Sequence, residues 1–164
     1  MKYPVVLHPD KLLKRKAEKV TAITEELVTM LDNMYETMVA HDGVGLAAPQ
    51  IGQSLRVAVI QADEEDDILE LINPELVAYE GETVDIEACL SIPGQYGLVP
   101  RYDRIVIRYF DREGVEYELE ADDYFSRIIQ HEMDHLDGGL FIDKATKLMT
   151  EEEMVQYMEE LEND

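Results

Sequence analysis

The sequence predicts an α+β fold, in which mainly antiparallel strands pack around a central helix, with one helix in the N-terminal half and a short one at the C-terminus. Three observations predict it. Apolar residues recur at helical spacing in three stretches, short β-type runs separate the first two stretches, and turn residues join one pair of runs. The length of 164 residues fits one core, so we expect residues 1–164 to form a single domain.

The first predicted helix runs over Thr24–His41. Its apolar side chains follow one another at steps of three and four residues, which places them on one face: Leu27, Met30, Leu31, Met34, Tyr35, Met38 and Val39. Thr24 can cap the start, Glu25 and Glu26 suit the positive end of the helix dipole, and Gly43 can end the helix. We expect this face to pack in the core.

The middle of the chain predicts strands. Glycines and a proline indicate a loop over 43–52, acidic residues indicate an exposed turn over Asp63–Asp67, and Ile92–Gly94 indicates another turn. The segment Asp111–Gly114 is typical of a hairpin loop. The predicted strands that these loops separate are Leu55–Ile60, Ile68–Ile72, Arg104–Phe110 and Val115–Ala121.

Two more helices are predicted toward the C-terminus. One should run from about Asp122 to Leu136 and end before the glycine pair at 138–139. The other should begin at Thr150, because Thr150 and Glu153 can form a capping box. The side chains that the last helix is expected to bury are Met154, Val155, Met158 and Leu161.

Charge excludes several kinds of partner. The chain has 37 acidic and 14 basic side chains, for a net charge of −23, although residues 1–20 carry a local charge of +4. So negative a surface repels phosphate backbones, which disfavours nucleic-acid binding. No apolar run approaches the about 18–20 residues of a membrane span, and a signal peptide is not predicted. Cys89 stands alone, so we expect a cytoplasmic protein without an intramolecular disulfide.

The second helix carries the pattern H-E-x-x-H over His131–His135. Both imidazoles lie on one helix face and can hold one metal ion, while Glu132 can act as general base. A catalytic metal usually has three protein ligands. Cys89 is a better third candidate than His8 or His41, which lie in other elements without ligand spacing. The alternative is a helix with half-buried histidines and a cysteine that serves only as a small core residue.

Three segments together resemble the peptide deformylase family. They are Gly43–Gln50, Glu87–Ser91 and Gln130–Gly138, which resemble the three motifs of the family in the family's order. The resemblance extends from the first helix to about Ile142. It implies a deformylase-like catalytic domain, a metal-dependent hydrolase that removes the N-formyl group from the N-terminal formylmethionine of newly synthesised peptides and releases formate.

The resemblance also implies the site. One divalent metal ion is expected, Fe²⁺ in the cell, with Zn²⁺, Ni²⁺ or Co²⁺ compatible with the same ligands. Glu132 is implied as the base, and the side-chain amide of Gln50 and the backbone N–H of Leu90 as donors to the oxyanion. The implied metal ligands are Cys89, His131 and His135, and the expected substrate-binding residues are Val44, Gly45, Ile86 and Ile128.

Further expectations concern the surroundings of the metal. Glu87 and Arg101 are expected to orient the site through charged hydrogen bonds, unless Arg101 forms only a surface ion pair. Arg127 is expected to line the methionine pocket with its stem and to place its charge at the rim. Ala88 stands where the family usually has glycine, which puts the rate and the substrate preference in question.

The expected partner is an N-formylmethionyl peptide, and we expect a monomer. Residues 150–164 contain seven acidic and no basic side chains, so any ribosome contact through this segment should be weak and transient. Two other functions stay open. An H-E-x-x-H metallopeptidase would usually take its third ligand downstream, whereas Cys89 lies upstream. A non-catalytic metal-binding or acidic interaction module would need neither Glu132 nor Gln50.

Overall fold

The computed structural model describes residues 1–163, over which the chain forms four α-helices and antiparallel strands in two sheets. The helices are α1 (Glu25–Ala40), α2 (Asp123–Leu136), α3 (Phe141–Lys144) and α4 (Glu151–Glu162). The strands are β1 (Gly45–Ala47), β2 (Val57–Ile60), β3 (Leu69–Glu80), β4 (Thr83–Cys89), β5 (Ile92–Arg101), β6 (Arg104–Phe110), β7 (Glu116–Asp122) and β8 (Lys147–Thr150). Within the same residues, every helix is too short or too polar to cross a lipid bilayer.

The strands pair antiparallel in both sheets. The larger sheet has the order β1-β2-β3-β6-β7, and the smaller sheet has the order β4-β5-β8. The short strand β1 and the longer strand β4 are therefore edge strands of their sheets. Each edge leads directly to residues of the candidate site, Gly45 in β1 and Cys89 in β4.

Helix α1 confirms the predicted core face. Thr24 accepts a hydrogen bond from the Leu27 amide, which caps the helix start. The buried face of α1 packs on residues of β1, β2 and β3. Burial of each large apolar side chain there stabilises the fold by about 1.5–3 kcal/mol. The buried residues of this face are Leu27, Met30, Leu31, Met34, Thr37 and Met38.

Helix α2 also lies where it was predicted, and it packs against β1, β2, β6 and β7 of the larger sheet. Ile128 and Ile129 bury themselves against Ile60, Ile105 and Ile107. The opposite side of the helix reaches the smaller sheet, because Arg127 donates hydrogen bonds to the carbonyls of Thr83 in β4 and Val99 in β5. The helix therefore lies between two layers and can carry side chains into the gap between them.

Several strand predictions need correction. The hairpin is confirmed as β6 and β7, but the strand predicted over Ile68–Ile72 continues to Glu80. The predicted loop over 43–52 contains β1 and a 3₁₀ turn at Ala48–Ile51. The turn predicted at Ile92–Gly94 is instead the start of β5. The glycines and prolines in these segments predict loops. Pairing with strands that are distant in the sequence nevertheless makes the segments extended.

The packing predicted for the last helix is wrong. α4 begins after Thr150 with the expected capping box, but none of its residues is buried in the described part of the helix. Val155, Met158 and Leu161 are 45%, 49% and 57% exposed, and Met154 is half-buried. The helix contacts β5 and β8 but buries none of its side chains, so its apolar spacing does not indicate a core face.

Candidate metal centre

Three potential metal ligands come together from two layers of the fold. Cys89 lies at the end of β4, and His131 and His135 lie one turn apart on α2. One ligand atom from each residue lies within 4.8 Å of the other two. Cys89 Sγ and His135 Nε2 are 3.4 Å apart. The structure therefore brings together the three residues that the sequence indicated, and leaves His8 and His41 outside the cluster.

The donor set fits a divalent cation. A thiolate and two imidazoles are ligands that Fe²⁺, Zn²⁺, Ni²⁺ and Co²⁺ accept. The Nδ1 atom of His131 donates to Glu87 Oε1 at 2.8 Å, which leaves Nε2 free to face a metal. A carboxylate that holds a ligating imidazole in this way fixes both its tautomer and its orientation.

Glu87 is the centre of a buried ionic cluster. Arg101 donates to both of its carboxylate oxygens, at 2.9 and 2.8 Å, and also pairs with Asp134. Burial of Glu87 favours its neutral form, but hydrogen bonds from Arg101 and His131 outweigh that effect and lower its pKa. The side chain of Arg101 is only 2% exposed, so a simple surface ion pair is excluded.

The prediction that Arg127 places its charge at the rim of the methionine pocket is wrong. Its guanidinium is buried instead of lying at the rim, and its Nη1 atom donates to Glu87 Oε2 at 2.6 Å and to the Val99 carbonyl at 2.7 Å. Its Nη2 atom donates to the Thr83 carbonyl at 2.9 Å. The sequence could not reveal these partners, because they lie 28 to 44 positions away along the chain.

The two histidines have different proton affinities. Burial of His131 opposes its protonation, but hydrogen bonds to Cys89 and Glu87 and the charge of Glu132 raise its pKa. Burial lowers the pKa of His135, and the positive charges of His131 and Arg101 lower it further. A ligating imidazole must be neutral, so a cation bound here would have to displace the proton that His131 tends to hold, whereas His135 is already neutral.

Glu132 lies beside the ligands and is 4% exposed. Its carboxylate packs against Gly45 of β1, where a Cβ atom would lie 2.5 Å from Glu132 Oε2 and 2.9 Å from its Cδ. Burial raises the pKa of Glu132 to about 7, against the opposing charge of His131. A carboxyl group with this pKa can both take up and release a proton near neutral pH.

The two predicted oxyanion donors occupy neighbouring positions. Gln50 is buried, and its Oε1 atom accepts a hydrogen bond from the Ala47 amide at 2.9 Å, which orients its Nε2 atom. That Nε2 atom lies 3.5 Å from Cys89 Sγ and donates to Ser91 Oγ at 3.1 Å. Leu90 follows Cys89 at the turn between β4 and β5 and lines the same cleft.

A cleft of about 550 Å³ opens over these groups. The predicted substrate-binding residues all line it: Val44, Gly45, Ile86 and Ile128. The cleft also includes Tyr96 and Tyr124, which the sequence analysis missed. Tyr124 lies four residues before Ile128, so helical spacing could have indicated it. Tyr96 lies in β5, the strand that the local pattern concealed.

Comparison with known proteins identifies the family of the chain. The sequence profile of the polypeptide deformylase family matches residues 2–151. The chain belongs to that family. It is 47% identical to peptide deformylase 1 of Bacillus subtilis over 92% of this chain and 94% of the relative. It is 50% identical to peptide deformylase of Thermoanaerobacter pseudethanolicus over 92% of this chain and 93% of the relative.

Solved structures of the family share the fold. Peptide deformylase from Thermotoga maritima superposes with a TM-score of 0.86 at 36% identity, covering 90% of this chain and 99% of that chain. A second family member, from Synechococcus elongatus and in complex with actinonin, gives a TM-score of 0.83 at 36% identity over 95% of this chain and 84% of that chain.

Proposed function

We propose that this chain removes the N-formyl group from the N-terminal formylmethionine of newly synthesised peptides and releases formate. One observation carries the proposal: Cys89 and His131 of the Cys-His-His cluster line one cleft with the buried carboxylate of Glu132 and the oriented amide of Gln50. A purely structural metal site would need neither group. Membership of the deformylase family supports this activity over cleavage of internal peptide bonds.

We propose that Cys89, His131 and His135 hold one divalent cation, and that this cation is Fe²⁺ in the cell. Zn²⁺, Ni²⁺ and Co²⁺ suit the same donors. When bound, the cation would supply Lewis acidity, which makes water more acidic and polarises a carbonyl oxygen. Glu87 would keep His131 in its ligating orientation through the 2.8 Å hydrogen bond to Nδ1.

The proton transfers are assigned to Glu132. Its carboxylate would take a proton from the attacking water and later deliver it to the amine that leaves as the new N-terminus. A pKa of about 7 suits both steps, because the group is neither too weak a base nor too weak an acid at neutral pH. The Gln50 amide and the Leu90 backbone N–H would donate hydrogen bonds to the oxyanion that forms during attack.

The cleft suits an extended peptide. The edge strands β1 and β4 both reach it, since Gly45 begins β1 and Ile86 lies in β4. A peptide can pair with such an edge through its main chain. Val44 and Gly45 would make these main-chain contacts, and Val44, Ile86 and Ile128 would surround the apolar methionine side chain. A methionine side chain suits apolar surroundings of this kind.

We also propose a cellular setting for this activity. Residues 1–164 would act as a single catalytic domain, a monomer in the cytoplasm, without specific nucleic-acid binding. The acidic side chains of the last 15 residues would make ribosome contact weak and transient. Cosedimentation with ribosomes at low and moderate salt tests this: tight, salt-sensitive binding that depends on residues 150–164 would contradict it.

The activity itself is tested by one comparison. The protein is purified without oxygen, its metal content is measured, and formate release from a formyl-Met peptide is followed beside cleavage of an unformylated peptide. We expect about one metal ion per chain, formate release, and no internal cleavage. Internal cleavage would indicate a metallopeptidase, and metal binding without either reaction would indicate a non-catalytic module.

A further inference from the structure

The candidate metal centre depends on the spacing between two separate layers. Helix α2, which carries His131 and His135, packs against the larger sheet through Ile128 and Ile129. Cys89 belongs to β4 of the smaller sheet. The distance between Cys89 Sγ and the two imidazoles therefore depends on the contacts that join α2 to the smaller sheet.

Arg127 joins these two layers directly. It lies on α2, one turn before His131, and its side chain is 6% exposed. The guanidinium donates to backbone carbonyls on adjacent strands of the smaller sheet, Thr83 of β4 at 2.9 Å and Val99 of β5 at 2.7 Å. Both acceptors are backbone carbonyl oxygens, which are present whatever the side chain at that position. The two hydrogen bonds therefore fix the helix relative to both strands.

The same guanidinium also holds the residue that orients His131. Arg127 Nη1 lies 2.6 Å from Glu87 Oε2, while Glu87 Oε1 accepts from His131 Nδ1 at 2.8 Å. Arg101 reaches the same carboxylate from β5 but makes no hydrogen bond to Thr83 or Val99 within residues 1–163. Arg101 also bridges the layers, because it pairs with Asp134 of α2, but its partners there and at Glu87 are all carboxylates. Arg127 differs because its contacts across the layers include two backbone carbonyls as well as the Glu87 carboxylate.

We propose that Arg127 is a positioning residue for the metal centre, which sets the distance and orientation of Cys89 relative to His131 and His135. The inference rests on the proposed metal site. It assigns to Arg127 a role in metal affinity and ligand geometry in addition to its contribution to stability. A planar, five-donor guanidinium suits this role, because it can bind a carboxylate and two carbonyls at once, whereas an ammonium is a compact point charge.

The test uses Co²⁺ as a spectroscopic probe of the full chain. Arg127→Met and Arg127→Lys are compared with the unchanged protein for Co²⁺ affinity, by competition with a chelator, and for the thiolate-to-cobalt absorption bands. Arg56→Met is the matched control. Arg56 also ties α2 to its surroundings, donating to the Leu136 carbonyl at 2.8 Å and to Asp137 at 2.9 Å, but it does not touch Glu87.

We expect Arg127→Met to weaken Co²⁺ binding by about 10- to 100-fold and to shift the absorption bands. Arg127→Lys should restore only part of the affinity, and Arg56→Met should lower thermal stability while affinity and spectrum stay unchanged. Unchanged affinity and spectrum in Arg127→Met would overturn the inference. If that variant does not fold, Arg127→Lys decides: affinity and spectrum equal to those of the unchanged protein would overturn it equally.

The same measurements separate this inference from the proposed metal site. If the unchanged protein binds no stoichiometric Co²⁺, or if Cys89→Ser retains both the affinity and the thiolate bands, the metal site itself is wrong. If the unchanged protein binds Co²⁺ through Cys89 and Arg127→Met does the same, only the positioning role fails.

Discussion

Two buried glutamates beside His131 have opposite electrostatic surroundings. Glu87 is 7% exposed and Glu132 is 4% exposed, so burial alone does not distinguish them. Glu87 accepts hydrogen bonds from Arg101, Arg127 and His131. Within residues 1–163, the Oε1 atom of Glu132 has no hydrogen-bond partner.

The difference in partners reverses the direction of the pKa shift. Burial alone would raise the pKa of both carboxyl groups. At Glu87 the hydrogen bonds from Arg101 and His131 prevail and lower the pKa, whereas at Glu132 burial prevails and raises the pKa to about 7. Glu87 therefore stays ionised and holds an imidazole in place, while Glu132 can exchange a proton. The two glutamates are similarly buried, so it is their neighbouring side chains that make one an orienting carboxylate and the other a proton-transfer group.

The largest effect is expected when Glu132 loses its ability to titrate. Glu132→Gln keeps the size and shape of the side chain but cannot accept the proton of the attacking water. We expect formate release to fall by about 10²–10⁴-fold, while the metal content stays at the level of the unchanged protein. Metal analysis and a formate assay on the same preparation measure both. Formate release near the original rate would remove Glu132 from the mechanism.

The complementary change at Glu87 should act on stability. Glu87→Gln leaves Arg101 and Arg127 buried without their shared anion, so we expect the free energy of unfolding to fall by about 3–5 kcal/mol. Denaturant unfolding of the metal-free protein measures this. Glu118→Gln is the control, because Glu118 pairs with the exposed Arg108, and such a pair contributes about 0–1 kcal/mol. Equal losses of unfolding free energy in both variants would show that the buried cluster stabilises the fold no more than the exposed pair does.

A change next to Glu132 should disturb its position without touching its charge. Gly45→Ala would place a Cβ atom 2.5 Å from Glu132 Oε2, so the carboxylate must move. We expect kcat to fall by roughly 100-fold, because a displacement of about 1 Å in a reacting group has effects of that size. Steady-state kinetics measure it.

The double variant tests whether Gly45 acts through Glu132. When Gly45→Ala is added to Glu132→Gln, the residual rate should not fall further, because the group that Gly45 positions has already been inactivated. A further loss would indicate instead that the Gly45 backbone acts mainly on the bound peptide.

Parts of the fold and of the metal centre depend on local sequence signals. Helix α1 was predictable because its capping residue and its apolar spacing are both local. The Cys-His-His set was predictable because one pair of ligands lies four residues apart on a helix, and the resemblance to a family supplied Cys89. Signals of this kind need no knowledge of distant pairing.

The electrostatic contrast could not be predicted, because it depends on partners far apart along the chain. Arg127 was expected at the rim of the cleft, yet Glu87 is 40 positions away and holds its charge in the interior. Strand β5 was missed for the same reason: Pro93, Gly94 and Pro100 conceal it locally, and pairing with β4 and β8 makes it a strand.

The smallest effect is the pH dependence of stability at Glu132. A buried carboxyl group whose folded pKa is raised from 4.5 to about 7 stabilises the fold when protonated. That stability is fully present below pH 4.5 and is lost as the pH rises through 7. For the metal-free protein, the linkage relation gives a loss of about 2 kcal/mol between pH 5.5 and 8.

The Glu132→Gln variant lacks this titration. The difference in the free energy of unfolding, variant minus unchanged protein, should therefore rise by about 2 kcal/mol between pH 5.5 and 8. Denaturant unfolding of the two metal-free proteins at several pH values measures the difference. Groups that do not interact with Glu132 cancel, whereas His131 adds a second contribution because the charge of Glu132 raises its pKa. Glu87→Gln should show the opposite sign in a different pH range: the lowered pKa of Glu87 stabilises the unchanged protein above pH 4.5, and that stability is lost as the pH falls below 4.5. Parallel pH profiles for the two variants would contradict the contrast between the two carboxylates, because each slope follows from the direction of one pKa shift.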